Sequence, residues 1–287
     1  MKRAWLEANR RLWDDRVPIH VGSEFYGLAA FKAGAAVLHD FELQEVGEVA
    51  GKSLVHLQCH FGMDTLGWAR QDAQVTGLDF SEAAIEAARS LAAELDIAAR
   101  FETADVYDAV AVLGERYDAV YTGRGALIWL PDLSRWARVV AELLRPGGFL
   151  YLTEFHPLTD MFADDSLEIV RDYFGPPGGY ELEDGMTYAE TGERTANVRS
   201  YEWNHPLASV VGSLLDAGLQ VDRFTEYPFT VYRRFPFLEC EQRGARRIYR
   251  MPEGHRALPL MYSIKASKPV REPAHAPANS TRPARDR

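Results

Sequence analysis

Cysteine is scarce: Cys59 and Cys240 are the only two in 287 residues, and they lie far apart in the sequence. A disulfide framework and a cysteine-rich zinc site are excluded, no metal site is expected, and a reducing compartment is the default setting. No apolar run approaches membrane-spanning length. The N-terminal MKRAWLEANRRLWDDR is too charged for a signal peptide, so no membrane association is expected and the chain is read as cytoplasmic. Positive charge is in deficit, with 32 Lys and Arg against 42 Asp and Glu and a net charge of −10. A phosphate backbone rewards clustered cations, so nucleic acid is not expected as a partner. Also missing is a glycine-rich nucleotide loop: no GxGxxG follows a strand, and no glycine-rich loop ends in Gly-Lys-Ser or Gly-Lys-Thr. Both a dinucleotide site and a P-loop lose their main signature.

What is present is the composition of a soluble globular protein, 47% hydrophobic and 26% charged, long enough for one large α/β domain. The stretch Ser53 to Asp79 organises the chain. An apolar run, Leu54 to Leu57, leads into the turn Gln58-Cys59-His60-Phe61-Gly62, a helix from Met63 to Arg70, and a second run, Val75 to Leu78, that ends on Asp79. Strand, turn, helix, strand and acid outline a nucleotide-binding βαβ unit. The alternation continues with a helix from Glu82 to Leu95, strands at Ala99–Thr103 and Tyr117–Tyr121, a helix capped by Asp132, and a strand at Phe149–Phe155 after the turn Pro146-Gly147-Gly148. This predicts a Rossmann-like α/β fold, a mostly parallel sheet with helices on both faces. Residues 1–50 form a helical leader, with a helix over 4–16 that Pro18 stops and a piece from Ser23 to Leu38. Residues 51–155 form the nucleotide-binding core. Residues 156–204 form a lid-like insertion, with a hairpin of Met186–Glu190 and Asn197–Trp203 around Thr191–Arg194. Residues 205–268 return to the sheet through Leu219–Phe224 and Leu258–Ser267, and 269–287 read as a disordered tail.

S-adenosylmethionine (SAM) has no phosphates, so one tight turn with a single glycine, Gly62, suits it. It needs a carboxylate for the ribose, offered by Asp79, and a polar group for the adenine amine, offered by Asp105. VHLQCHFGMDT, GLDFSEAAIEAAR, ETADVYD, YDAVYTGRGALIWLPD and LLRPGGFLYLTEFHP resemble, in order, the motifs of class I SAM-dependent methyltransferases. The resemblance is close over about residues 51–155 and loose to 267, and is nearest to bacterial small-molecule methyltransferases with HLQCHFG as their first motif. It implies seven strands, six parallel and one antiparallel at Leu258–Ser267, with SAM as cofactor and methylation at O, N, S or C of a small organic molecule. The chain departs from the family's acid-x-G-x-G-x-G: His56 stands at the acid, and Gln58 and His60 at two glycines. A non-catalytic SAM-binding protein and an NAD-dependent oxidoreductase are the alternatives.

Gln58, His60, Gly62, Asp79, Phe80, Asp105, Val106, Thr122 and Gly123 are the candidate cofactor contacts. For the acids the bland reading is strand-end solvation, and for Phe80 and Val106 it is core packing. The candidate catalytic residues are Glu154 and His156 at the end of the fifth strand, His60 in the turn, and Tyr26, placed to reach a sulfonium from the leader. His60 reads equally as a structural imidazole, and Tyr26 as a docking aromatic. Cys59 is expected as a buried filler, Arg124 as the partner of a surface acid, and Arg243, Arg246, Arg247 and Arg250 as a solvated basic loop. Tyr188, Trp203, His205 and Tyr232 suggest an apolar lid. The sequence leaves the oligomeric state open.

Overall fold

The chain is described by a computed structural model that covers residues 2–189, 191–243 and 246–270. The expected tail lies almost wholly outside the described residues. The strands of the core are short and buried. In β1 (Ser53–Leu57), Leu54, Val55 and Leu57 have at most 1% of their surface exposed. β2 (Gln74–Asp79), β3 (Ala99–Thr103), β4 (Tyr117–Thr122) and β5 (Leu144–Phe155) join it in parallel. Near-continuous apolar runs are what strands covered on both faces require. The hairpin β6 (Tyr180–Glu183) and β7 (Arg199–Glu202) follows. Next come β8 (Gln220–Tyr227), a small antiparallel sheet of β9 (Phe229–Thr230), β10 (Glu239–Arg243) and β11 (Arg246–Arg250), and finally β12 (Met261–Ser267). The main sheet has seven strands in the order β3-β2-β1-β4-β5-β12-β8, with β12 antiparallel to both neighbours, as expected.

Helices cover both faces. On one, α7 (Leu133–Leu143) and α8 (Leu207–Asp216) bury Trp136, Val140 and Leu214 against Val55, Val120 and Leu152. On the other, α4 (Met63–Ala69) and α5 (Glu82–Glu94) bury Trp68, Ile85 and Ala88 against Leu54, Val75 and Tyr121, joined by Phe31, Val37 and Leu38 of the leader. α6 (Ala109–Leu113) is a single turn before β4.

The leader corrects three expectations. α1 spans Lys2–Gly22, with Pro18 inside it. An interior proline removes a hydrogen bond, but Val17 is 4%, Ile19 8% and His20 0% exposed, and their burial holds the last turn. Ser23 Oγ donates to the His20 carbonyl and so closes α1 rather than opening a new helix. Only Leu28–Lys32 (α2) is helical in the stretch that follows. α3 (Asp40–Val46) is capped by His39, whose amide donates to the Glu42 carboxylate. The lid hairpin is also shifted: Tyr180–Glu183 pairs with Arg199–Glu202, whereas the expected strand from Met186 is no strand over Met186–Ala189, and its end at Glu190 lies outside the described residues. Met186, Thr187 and Tyr188 turn into a cavity, so their alternation reflects packing on the leader rather than a strand. Pro146-Gly147-Gly148 lies within β5, across an irregular register, rather than ahead of it.

Candidate active site

A cavity of about 1000 Å³ opens above the C-terminal ends of β1, β2, β4 and β5. This is where open α/β sheets place their ligands. The leader, the insertion and the β9–β11 sheet form its roof. α1 lies against the insertion on defined bonds. Asn9 donates to the Tyr201 carbonyl and accepts from its amide, both at 2.8 Å, so it acts as an extra strand residue beside β7. Asp15 accepts from the amide and side chain of Asn197 at 2.7 and 2.9 Å.

The turn after β1 contains the unusual residues. Gln58 and His60 have φ of 58° and 51°, the left-handed conformation that favours glycine. The chain thus keeps the backbone shape of a glycine turn while carrying side chains there. Each is tied down. The His60 amide donates to Asp79 Oδ2 at 2.8 Å, and Gln58 Nε2 donates to the Ala126 carbonyl at 2.8 Å. Gly62 is at φ 79°, and a Cβ there would lie 2.8 Å from the Phe101 ring, so this glycine is required by space as well as by conformation. His56, at the family's acidic position, is buried and bonded through Nδ1 to Thr65 Oγ1 at 2.8 Å; burial holds its pKa at about 3. Cys59 is a buried filler whose thiol is pushed up by burial.

Asp79 lines the cavity. Its oxygens accept from the His60 and Ser81 amides, yet burial pushes its pKa up to about 6. The carboxylate is under-served, with lone pairs left for two further donors. Asp105 caps the turn after β3 through Oδ1, which accepts from the Tyr107 amide at 3.0 Å; Phe80 and Val106 line the cavity beside it.

Of the expected catalytic residues, His60 and Tyr26 reach the cavity unencumbered by amides. His60 Nε2 lies 2.9 Å from His20 Nδ1, and His20 Nε2 lies 2.5 Å from Thr187 Oγ1. Trp13 packs edge-on against both rings. Burial, with Arg16 nearby, lowers the pKa of both histidines, that of His20 to about 3, so both are neutral near pH 7. Tyr26 Oη lies 2.5 Å from Tyr188 Oη, and its ring meets Phe61 at 4.8 Å.

Glu154 also lines the cavity, but its oxygens accept from the amides of Gly125, Ala126, Leu127 and Phe155. Burial pushes its pKa up to about 7. Four amides saturate the carboxylate, so it fixes the loop after β4 instead of facing a substrate as a base. His156 is not brought to the cavity. Its Nδ1 accepts from the Leu158 amide at 3.1 Å, capping a 3₁₀ turn over Pro157–Met161, and its Nε2 meets Glu226 at 2.9 Å. Thr122 is fully buried with its hydroxyl unpaired and does not line the cavity, whereas Gly123 does.

Arg124 is not a surface residue. It bonds Glu42 at 2.6 Å and Asp64 at 2.8 Å, and Glu42, fully buried, also accepts from Tyr121 Oη at 2.7 Å. Burial works to raise the Glu42 carboxyl, but Arg124 and His39 outweigh it and hold it below the usual range. The basic loop divides: Arg243 and Arg250 share Glu241, while Arg246 and Arg247 line the cavity. Trp13, Arg16 and His20 were not among the expected site residues, although their spacing of three and four places them on one helix face. Nor were Glu42, Asp64 and Thr187, for which no local signal exists.

The residues fit SAM. Among the described residues, Gln58 Oε1 is a buried carbonyl oxygen without a partner, suited to the ammonium of the methionine end, and Arg16 Nε is a buried donor without a partner, suited to a carboxylate. Asp79 would serve the ribose, and Asp105, Phe80 and Val106 the adenine.

Residues 55–150 match a family model described as a methyltransferase domain. The matched stretch runs from within β1 to the middle of β5 and contains Asp79 and Asp105. The chain is 30% identical over 126 residues to a ubiquinone biosynthesis O-methyltransferase from Alkalilimnicola ehrlichii, covering 43% of this chain and 51% of that one. It is 30% identical over 114 residues to the enzyme of that name from Serratia proteamaculans, covering 40% and 47%. The chain therefore spans about half the length of the curated relatives it matches. Among solved structures it resembles an S-adenosylmethionine-dependent methyltransferase from Mesorhizobium loti, with a TM-score of 0.53, 21% identity and coverage of 82% and 99%. It also resembles the glycopeptide N-methyltransferase MtfA complexed with SAM, with a TM-score of 0.51, 16% identity and coverage of 86% and 95%. The fold is that of the class I SAM-dependent methyltransferases. No helix among the described residues is long and apolar enough to cross a membrane.

Proposed function

We propose that the protein is a SAM-dependent methyltransferase of the HLQCHFG subgroup that acts on a small organic molecule. The observation that carries this reading is the under-served carboxylate of Asp79, placed at the end of β2 between the His60 turn and Asp105 inside the cavity. When bound, SAM supplies an electrophilic methyl group on a sulfonium. The chain's part is alignment and exclusion of water. Asp79, Asp105, Gln58 and Arg16 anchor the two ends of the cofactor. Glu154 holds the loop Gly125–Leu127 rigid on one side, and Tyr26 and Tyr188 close the roof. His60 is the proton acceptor for a nucleophile that must be deprotonated. Its imidazole is neutral, and His20 behind it fixes its tautomer and takes part in a chain that ends on Thr187.

Calorimetric titration with SAM, S-adenosylhomocysteine and NAD tests the reading. SAM and S-adenosylhomocysteine are expected to bind one per chain, and NAD not at all. Absence of binding by both sulfur ligands overturns the proposal, and binding of NAD alone returns the oxidoreductase.

A further inference from the structure

We propose that the acceptor molecule carries a carboxylate, and that Arg246 is the residue that receives it. The inference rests on the methyltransferase reading and extends it to the class of substrate. Arg246 lines the cavity at the start of β11, on the side where Arg124, Asp64 and Glu42 meet. Both acids act on Arg246 through space, but their bonds go to other groups. Glu42 uses one oxygen for Arg124 and Tyr121 and the other for the His39 amide, and Asp64 bonds the second nitrogen of Arg124. Among the described residues, Arg246 has no salt bridge, and neither does Arg247 beside it. The two other arginines of the same hairpin share Glu241, each at 2.8 Å. The cations left without a carboxylate are therefore the two that face the cavity. Burial lowers the Arg246 guanidinium from its ordinary value, and Asp64 and Glu42, which bond Arg124, do not make up for it. A planar guanidinium fork matches a carboxylate in two parallel bonds.

The surroundings fit the rest of such a molecule. Tyr249, Tyr232, Val231 and Phe155 line the same cavity, and the Phe155 and Tyr232 rings lie 4.4 Å apart. They provide an apolar wall against which a ring can lie flat or edge-on. The opposite wall contains the acids Asp160 and Glu202, but cations already face them: Arg234 and Arg171 near Asp160, Arg16 and Arg171 near Glu202. On the Arg246 side of the cavity, among the described residues, the groups without a salt bridge are cations, Arg246 and Arg247.

The test is calorimetric titration of the full chain with benzoate, benzamide and benzylamine, with and without saturating S-adenosylhomocysteine. Benzoate is expected to bind at least tenfold more tightly than the other two. Arg246→Gln should weaken benzoate at least tenfold and leave S-adenosylhomocysteine within twofold. Arg246→Lys should recover part of the loss, and Arg250→Gln should change neither. Equal binding of the three probes, tighter binding of benzylamine, no binding of benzoate, or unchanged benzoate affinity in Arg246→Gln overturns the proposal. A failure of S-adenosylhomocysteine to bind reports separately on the methyltransferase reading.

Discussion

Gln58 and His60 pay a conformational cost so that two side chains can stand where the family's motif has glycine. A left-handed conformation costs a residue with a Cβ about 1–2 kcal/mol. The cost is offset by the bond of the His60 amide to Asp79 and by the contacts of its ring with His20 and Trp13. A pair of variants isolates the strain: His60→Gly and His60→Ala both lose the imidazole, but only glycine relaxes the turn. Urea unfolding should show the glycine variant more stable than the alanine one by about 1 kcal/mol. Asp79 gives a prediction in pH. Its free-state pKa is about 6, and a bound ribose needs the ionised carboxylate as acceptor. Affinity for SAM should therefore hold above pH 6 and weaken about tenfold at pH 5, since protonation competes with binding one unit below the pKa. Asp79→Asn should bind more weakly at pH 7.5 and lose this pH dependence in calorimetry. These two positions were legible in the sequence because strand-end acids and turn residues are local signals. The pairing of His60 with His20 was not, since 40 residues separate them.

At the scale of elements, the leader and the insertion are held to the core by a few polar contacts with long sequence separations. The Arg124–Glu42 pair joins α3 to the loop after β4 across 82 residues. Breaking a buried pair from one side strands the other charge, so Arg124→Met should cost about 3–5 kcal/mol in urea unfolding. Adding Glu42→Gln should recover part of that loss, which a purely steric effect would not allow. The two hydrogen bonds between Asn9 and Tyr201 tie α1 to β7 across 192 residues. Asn9→Ala leaves a strand amide and carbonyl unpaired, at about 1–3 kcal/mol, and hydrogen exchange in residues 180–202 should quicken while the main sheet is unchanged. The helices and parallel strands of 51–155 were readable from apolar periodicity. The lid hairpin was displaced because Met186 and Tyr188 alternate for a different reason, their place in the cavity lining. Pro18 misled for a related reason: burial of Val17, Ile19 and His20 outweighs the missing hydrogen bond.

For the whole molecule, the cavity is a joint product of the core, the leader, the insertion and the β9–β11 sheet. A ligand that binds it should couple them. S-adenosylhomocysteine at about 100 times its Kd should stabilise the protein by about 2.7 kcal/mol. Hydrogen exchange should then show protection at residues 13–26 and 184–189 along with the β1 and β2 ends, and little at the β8 edge. The sequence by itself determined the order of strands and helices, the antiparallel last strand, the glycine-poor turn and the acids at the ends of β2 and β3. These follow from short-range patterning, capping and motif order, except the antiparallel direction of the last strand, which the family resemblance implies. Only the tertiary structure decided that Glu154 is saturated by amides, that His156 turns away, that Arg124 is buried between two acids and that Arg246 is left without one. Those outcomes depend on which distant groups compete for the same hydrogen bonds and charges, and no local pattern records that competition.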